Sequence, residues 1–199
     1  MIELDTVTKI YPDGTEAVRE VSLTVKEGEL CILLGPSGCG KTTTMKMINR
    51  LIPVSKGTIF IDGVDNTEID VNELRRNIGY AIQNVGLFPH MTVGENIMTV
   101  PALKGWPKAR QRKQARELLE LLRMDPDEFI DKYPRELSGG QGQRVGVARA
   151  LGGDPPLLLM DEPFGAIDPI TRAELQNEFL KIQEEIQKTI IFVTHDIYE

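Results

Sequence analysis

The feature that most constrains this 199-residue chain is the stretch Gly35-Pro36-Ser37-Gly38-Cys39-Gly40-Lys41-Thr42, set directly after the apolar run Leu30-Cys31-Ile32-Leu33-Leu34. A continuous apolar run of this length reads as a fully buried strand. The glycines then let main-chain N–H groups turn inward with no Cβ in the way. After the loop, Met45, Ile48 and Ile52 recur at helical spacing, and Pro53 stops that helix. Strand, glycine loop and helix in this order aim a positive helix end at whatever the loop encloses. The pattern GxxxxGK[ST] fits a phosphate-binding P-loop. In it Lys41 neutralises the β and γ phosphates, and the Thr42 hydroxyl is a magnesium ligand.

Two further segments carry chemistry. Leu157-Leu158-Leu159-Met160-Asp161-Glu162 delivers two carboxylates at the C-terminal end of an apolar strand, where α/β sheets place ligands. Asp161 suits a magnesium shell, and Glu162 is positioned to polarise an attacking water. Leu137-Ser138-Gly139-Gly140-Gln141 opens a helix that runs to Leu151; read alone, it is either an anion site or a simple cap.

Around these motifs the pattern is α/β. Val21, Leu23 and Val25 alternate as in a half-buried strand. Ile59–Ile61, ended by Asp62-Gly63, and Ile78–Ile82 read as strands, as do Leu157–Met160 and Ile190–Val193. From about residue 84 to 153 the pattern is mainly helical, with Ala115, Leu118, Leu119 and Leu122 on one face. Leu175, Phe179, Ile182 and Ile186 line another helix, with Asp168 as its cap and Pro169 in its first turn. Strands alternating with helices imply a mainly parallel sheet. The expected organisation is a core of residues 1–83 and 154–199 with an inserted helical subdomain at 84–153.

Composition narrows the function. Thirty acidic against 23 basic side chains leave a net charge of −7, which removes a whole-molecule case for nucleic-acid binding. No apolar run is long enough to cross a bilayer, so a membrane role goes through a partner. Nor do Met1 to Asp5 read as the start of a secretory signal. Cys31 and Cys39 are too few for a disulfide framework and fit a reducing compartment; Cys31 reads as a buried strand residue.

With Leu137–Gln141 lying between the P-loop and the acidic strand, the chain resembles the ATP-binding-cassette (ABC) ATPases over nearly its whole length. The resemblance implies a P-loop NTPase fold of RecA-like type, with an N-terminal antiparallel β part and the helical insert. It implies ATP and Mg2+ as ligands. Gly35, Pro36, Ser37, Gly38, Cys39, Gly40, Lys41, Thr42 and Thr43 would form the phosphate cradle, and Tyr11 would stack on adenine. Gln83 resembles the Q-loop glutamine, which touches metal and water. Asp168, in Gly165-Ala166-Ile167-Asp168, resembles the D-loop aspartate. His195 resembles the switch histidine that senses the γ phosphate, whereas His90 matches nothing.

The resemblance also implies an ATP-dependent homodimer in which Ser138, Gly139, Gly140 and Gln141 cover the nucleotide of the opposite copy. Gln83 to Met91, including Leu87 and Phe88, would face an integral membrane permease subunit, and a substrate-binding protein would be met only indirectly. The expected site of action is the cytoplasmic face of the membrane, with no nucleic-acid partner. The basic cluster Lys104, Lys108, Arg110, Arg112, Lys113 and Arg116 reads as a solvated helix face rather than a lipid-facing one. Thr42–Arg50, Gly86–Thr92 and Asp168–Arg172 are similar to importers of glycine betaine, carnitine or choline.

The sequence departs from the family at Gly142, where glutamine is common, and this softens the helix start. Gly152-Gly153 is read as loosening its end. Family members usually continue beyond the position of Glu199, so further C-terminal helices or a regulatory domain are expected. Two other readings compete. One is a soluble ABC ATPase of DNA repair or translation, which the missing coiled-coil insert and the single cassette disfavour. The other is a non-hydrolysing nucleotide sensor, which Glu162 and His195 disfavour.

Overall fold

The computed structural model describes residues 1–82, 86–163, 165, 172 and 188–194. At the N-terminus Ile2 and Leu4 are buried while Glu3 and Asp5 face solvent, so β1 (Ile2–Ile10) has one wet and one dry side. It pairs antiparallel with β2 (Glu16–Val25) on one edge and with β4 (Lys56–Ile61) on the other. The turn at Asp62-Gly63, with positive φ at both residues, leads into the short β5 (Val64–Asp65), completing the order β2-β1-β4-β5.

The second sheet is parallel, in the order β3-β8-β7-β6, from β3 (Leu30–Leu34), β6 (Ile78–Ala81), β7 (Leu157–Asp161) and β8 (Thr189–Thr194). Its alternating side chains feed two separate cores. Leu157, Leu159, Ile191 and Val193 join α1 (Lys41–Ile48) and the antiparallel sheet on one face. Leu158, Met160, Ile190 and Phe192 join the helices on the other. Those helices are α3 (Val93–Leu103), α4 (Lys108–Leu121), the short α5 (Pro126–Phe129) and α6 (Gly139–Leu151); α2 (Val71–Arg76) precedes β6. Ala115, Leu118, Leu119 and Leu122 are all buried, as their spacing predicts.

Four expectations need correction. β3 is not fully buried: Ile32 and Leu34 are 49% and 51% exposed, and Cys31 is only half-buried. Among the described residues β3 pairs with β8 alone and stands at the end of the strand order. Helix α1 ends at Ile48, short of Ile52, because Asn49 caps it and Arg50 turns to φ 49°. The strand at Ile78 closes at Ala81, one residue before Ile82. Gly152 and Gly153 do not loosen α6. A Cβ at Gly152 would overlap the Ile97 carbonyl of α3, and one at Gly153 would overlap Val100, so the pair permits close helix packing. The helix with Leu175, Phe179, Ile182 and Ile186, and its cap Asp168, lie outside the described residues.

Candidate functional site

The loop from Gly35 to Gly40 joins the C-terminal end of β3 to the N-terminus of α1. Gly40 is the N-cap, with φ 99°, and a Cβ there would overlap the Ala17 carbonyl of β2. Only glycine meets both conditions, so this position fixes how tightly the loop lies against the antiparallel sheet. Lys41 folds back over the loop and donates from Nζ to the carbonyls of Gly35 at 2.6 Å and Pro36 at 3.0 Å. Its ammonium thus stands over the loop while Gly38 and Gly40 keep left-handed backbones beneath it. Pro36, Ser37, Gly38 and Cys39 are exposed, and the Cys39 sulfur lies 3.7 Å from Lys41 Nζ.

The acidic strand arrives from the adjoining part of the sheet. Asp161 is the last residue of β7 and is buried, with 4% exposure. Thr42 Oγ1 donates to Asp161 Oδ1 at 2.9 Å across 119 positions of sequence. Burial pushes the Asp161 carboxyl above its ordinary range and the nearby Glu162 charge adds to this, while the Thr42 hydrogen bond, Lys46 and Lys41 oppose it. Glu162 follows with φ 47°, a left-handed backbone at a non-glycine residue. Its N–H donates to the Val193 carbonyl at 3.0 Å, and its carbonyl accepts from Gly165 N–H at 3.1 Å. The Glu162 side chain is thereby carried past the strand end on a fixed, turned backbone.

Tyr11 is half-buried, with its hydroxyl 3.4 Å from Thr43 Oγ1 and Lys9 Nζ 5.5 Å from its ring centre. The sequence thus folds Tyr11, Lys41, Thr42, Thr43 and Asp161 into one neighbourhood. The stretch from Ser138 to Gln141 belongs elsewhere. Ser138 Oγ accepts from Gln141 N–H at 3.3 Å and Gln141 Oε1 accepts from Ser138 N–H at 2.9 Å, a reciprocal capping box on α6. The first intrahelical bond there runs from Gly142 N–H to the Ser138 carbonyl, so the N–H groups of Gly139 and Gly140 precede it at the helix end. Helix α1 packs on the β2 side of the parallel sheet, whereas α6 packs with α3, α4 and β6. Gln83, Asp168 and His195 lie outside the described residues.

One residue of this neighbourhood has no signal in the sequence. Tyr80, on β6, is half-buried, and burial pushes its phenol up, with the nearby Asp161 charge adding to this. Its place follows from strand register, which no local pattern discloses.

Residues 18–165 match the family model described as ABC transporter. The chain belongs to the ABC transporter family. It is 59% identical over its full length to the glycine betaine/carnitine/choline transport ATP-binding protein OpuCA of Bacillus subtilis (strain 168), covering 52% of that protein. It is 55% identical to the osmoprotectant import ATP-binding protein OsmV of Salmonella typhimurium (strain LT2), covering 53% of it. The chain thus spans about half the length of these curated relatives. Among solved structures, a dimeric post-hydrolysis ATP-binding cassette bound to ADP and Pi superposes with a TM-score of 0.89 at 37% identity. That match covers the whole of this chain and 89% of the other. The ABC transporter fold expected from the three motifs is therefore the fold found. No helix among the described residues is long and apolar enough to cross a membrane.

Proposed function

We propose that this chain is the ATP-binding and ATP-hydrolysing part of an importer for a small solute, of the glycine betaine, carnitine or choline class. The observation that carries the reading is the Thr42–Asp161 hydrogen bond of 2.9 Å beneath the Lys41 ammonium. It joins a hydroxyl, a buried carboxylate and a cation at the mouth of a glycine loop, as phosphoryl transfer requires. The names of the relatives support the solute class.

The donor set fits magnesium. Thr42 and Asp161 offer hard oxygen ligands, and a buried carboxylate opposed by few positive groups is suited to a cation. Among the described residues no group of three or more His, Cys, Asp or Glu side chains could hold a metal alone, in keeping with an ion that keeps waters and phosphate oxygens. Bound there, with Gln83 assigned as a further ligand by the family motif, Mg2+ would neutralise charge on the phosphates. Lys41, freed from the Gly35 and Pro36 carbonyls, binds the β and γ phosphates, and the loop N–H groups from Gly38 to Thr43 hold the rest of the anionic tail. Tyr11 stacks on the base. Glu162 accepts the proton of the attacking water, and His195 senses the γ phosphate.

Charge on the transferred group must be held from more than one side. The two helix N-termini suited to it, on α1 and α6, belong to helices on opposite faces of one parallel sheet. A second copy, turned head to tail, resolves this by bringing its Ser138–Gln141 over the first copy's loop, with Asp168 communicating between the two. The reading of 1–83 and 154–199 as ATPase core and 84–153 as helical insert goes with it.

The membrane subunit would dock near Gln83–Met91, placing the chain peripherally on the cytoplasmic side. What supports this is a cleft of about 350 Å3 whose lining includes Arg75, Arg76, Tyr80, Phe88 and Arg149, with Phe88 itself 40% exposed. Lys104 is drawn out of the basic cluster to the Gly153 carbonyl, Arg116 pairs with Asp127 and Arg110 stacks on Trp106, which favours a solvated helix face over a lipid contact. Phosphate release by the purified protein with Mg2+ and ATP tests the enzyme reading. Lys41→Ala should lower it at least a hundredfold, and full turnover in that variant would refute it.

A further inference from the structure

Asp161 is almost entirely buried, and the hydrogen bond from Thr42 reaches only its Oδ1. A buried carboxylate needs further donors to keep its charge and its orientation. The neighbouring strand supplies one. β6 and β7 pair in parallel with Tyr80 opposite Leu159. Asp161 lies two residues beyond Leu159, so strand alternation puts both on the same face as Tyr80. Tyr80 and Leu159 indeed share the core on the α1 side, from which Thr42 also approaches. The half-buried Tyr80 is thus a diagonal neighbour of Asp161 on the same face, a spacing within reach of an aromatic side chain.

We propose that Tyr80 is a positioning residue for Asp161, its hydroxyl donating to the carboxylate so that donors from β6 and α1 together fix the carboxylate's direction. The sequence around it, Ile78-Gly79-Tyr80-Ala81, reads as an ordinary strand. A purely structural role would ask only for the ring, which phenylalanine supplies. A positioning role asks for the oxygen.

This inference rests on the nucleotide-site reading above and deepens it. The test uses the full chain and a fluorescent ATP analogue, first in EDTA and then titrated with Mn2+. Tyr80→Phe should leave metal-free binding of the analogue within twofold of the unaltered protein. It should raise the Mn2+ concentration at half-saturation about tenfold, as loss of a ligand's supporting hydrogen bond does. In an Asp161→Asn background the same substitution should move the Mn2+ titration less than twofold. An unchanged Mn2+ titration in Tyr80→Phe overturns the proposal, as does an equal shift in both backgrounds. Failure of the unaltered protein to bind the analogue would overturn the nucleotide-site reading itself. If Tyr80→Phe does not fold, 3-fluorotyrosine at position 80 serves instead. Its fluorine resonance should move when Mg2+ is added to the nucleotide complex, and a resonance that does not move refutes the role.

Discussion

At the scale of single residues, burial decides how a charge of the site is held. Asp161 is the clearest case, because burial holds its carboxyl above the ordinary value of 3.8. A folded-state value above the unfolded one means that the folded chain binds the proton more tightly. The stability linked to that proton is full below the unfolded value and is lost as pH rises through the raised folded value. At neutral pH the ionised side chain is therefore a net cost to the free protein. Asp161→Asn should raise the melting temperature at pH 7 without nucleotide or metal, by a few degrees, equivalent to about 1 kcal/mol at this chain length. The gain should fade as pH approaches the ordinary carboxylate range, and calorimetry at several pH values reads both effects. A lower melting temperature at pH 7 would show that the charge is already compensated. The same variant should lose hydrolysis, so stability and activity move in opposite directions, as is usual where a site stores unfavourable charge.

Elements divide into those whose character is local and those decided by neighbours. The loop from Gly35 to Thr42, the strand ending at Asp161 and the capped start of α6 at Ser138 were all legible, because each is a contiguous pattern with its own chemistry. The exposure of Ile32 and Leu34 was not, because which strands flank β3 among the described residues is a property of strand order. Tyr80 escaped for the same reason, its partner lying in another strand. The glycines of α6 show the contrast within one helix. A Cβ at Gly142 meets nothing within 4 Å, so Gly142→Ala should stabilise the protein by about 1 kcal/mol through helix propensity alone. Gly152 has the backbone of an ordinary helical residue, yet its missing Cβ is where α3 lies. Gly152→Ala should destabilise by about 1–3 kcal/mol through overpacking. Chemical denaturation of the two variants should thus shift the midpoint in opposite directions, although both make the same substitution in and beside one helix.

For the whole molecule, the governing fact is the parallel sheet with a different core on each face. One face carries α1 and the antiparallel sheet, and the other carries α3, α4 and α6. An anion held at the start of α1 is thereby kept apart from the start of α6 within one chain. Rotating α6 alone around the sheet edge would tear its Gly152 contact with α3 and the close approach of its Ala150 carbonyl to Gly79. Pairing two copies avoids both losses, and the bound nucleotide then becomes part of the interface. In the proposed dimer hydrolysis cleaves the γ phosphate from that shared ligand, so the dimer should persist when the water is no longer activated. Glu162→Gln keeps the side-chain length and the left-handed backbone of Glu162 while removing the proposed base. With ATP and Mg2+ it should bind nucleotide, turn over at least a hundredfold more slowly and elute as a dimer in size-exclusion chromatography with light scattering. ADP should leave it monomeric. Adding Ser138→Arg, which sets a bulky cation at the rim of the opposite copy's site and breaks the cap on α6, should return the ATP-bound variant to the monomer. A dimer that forms equally with ADP would sever association from the γ phosphate, and the two helix ends would then need another explanation.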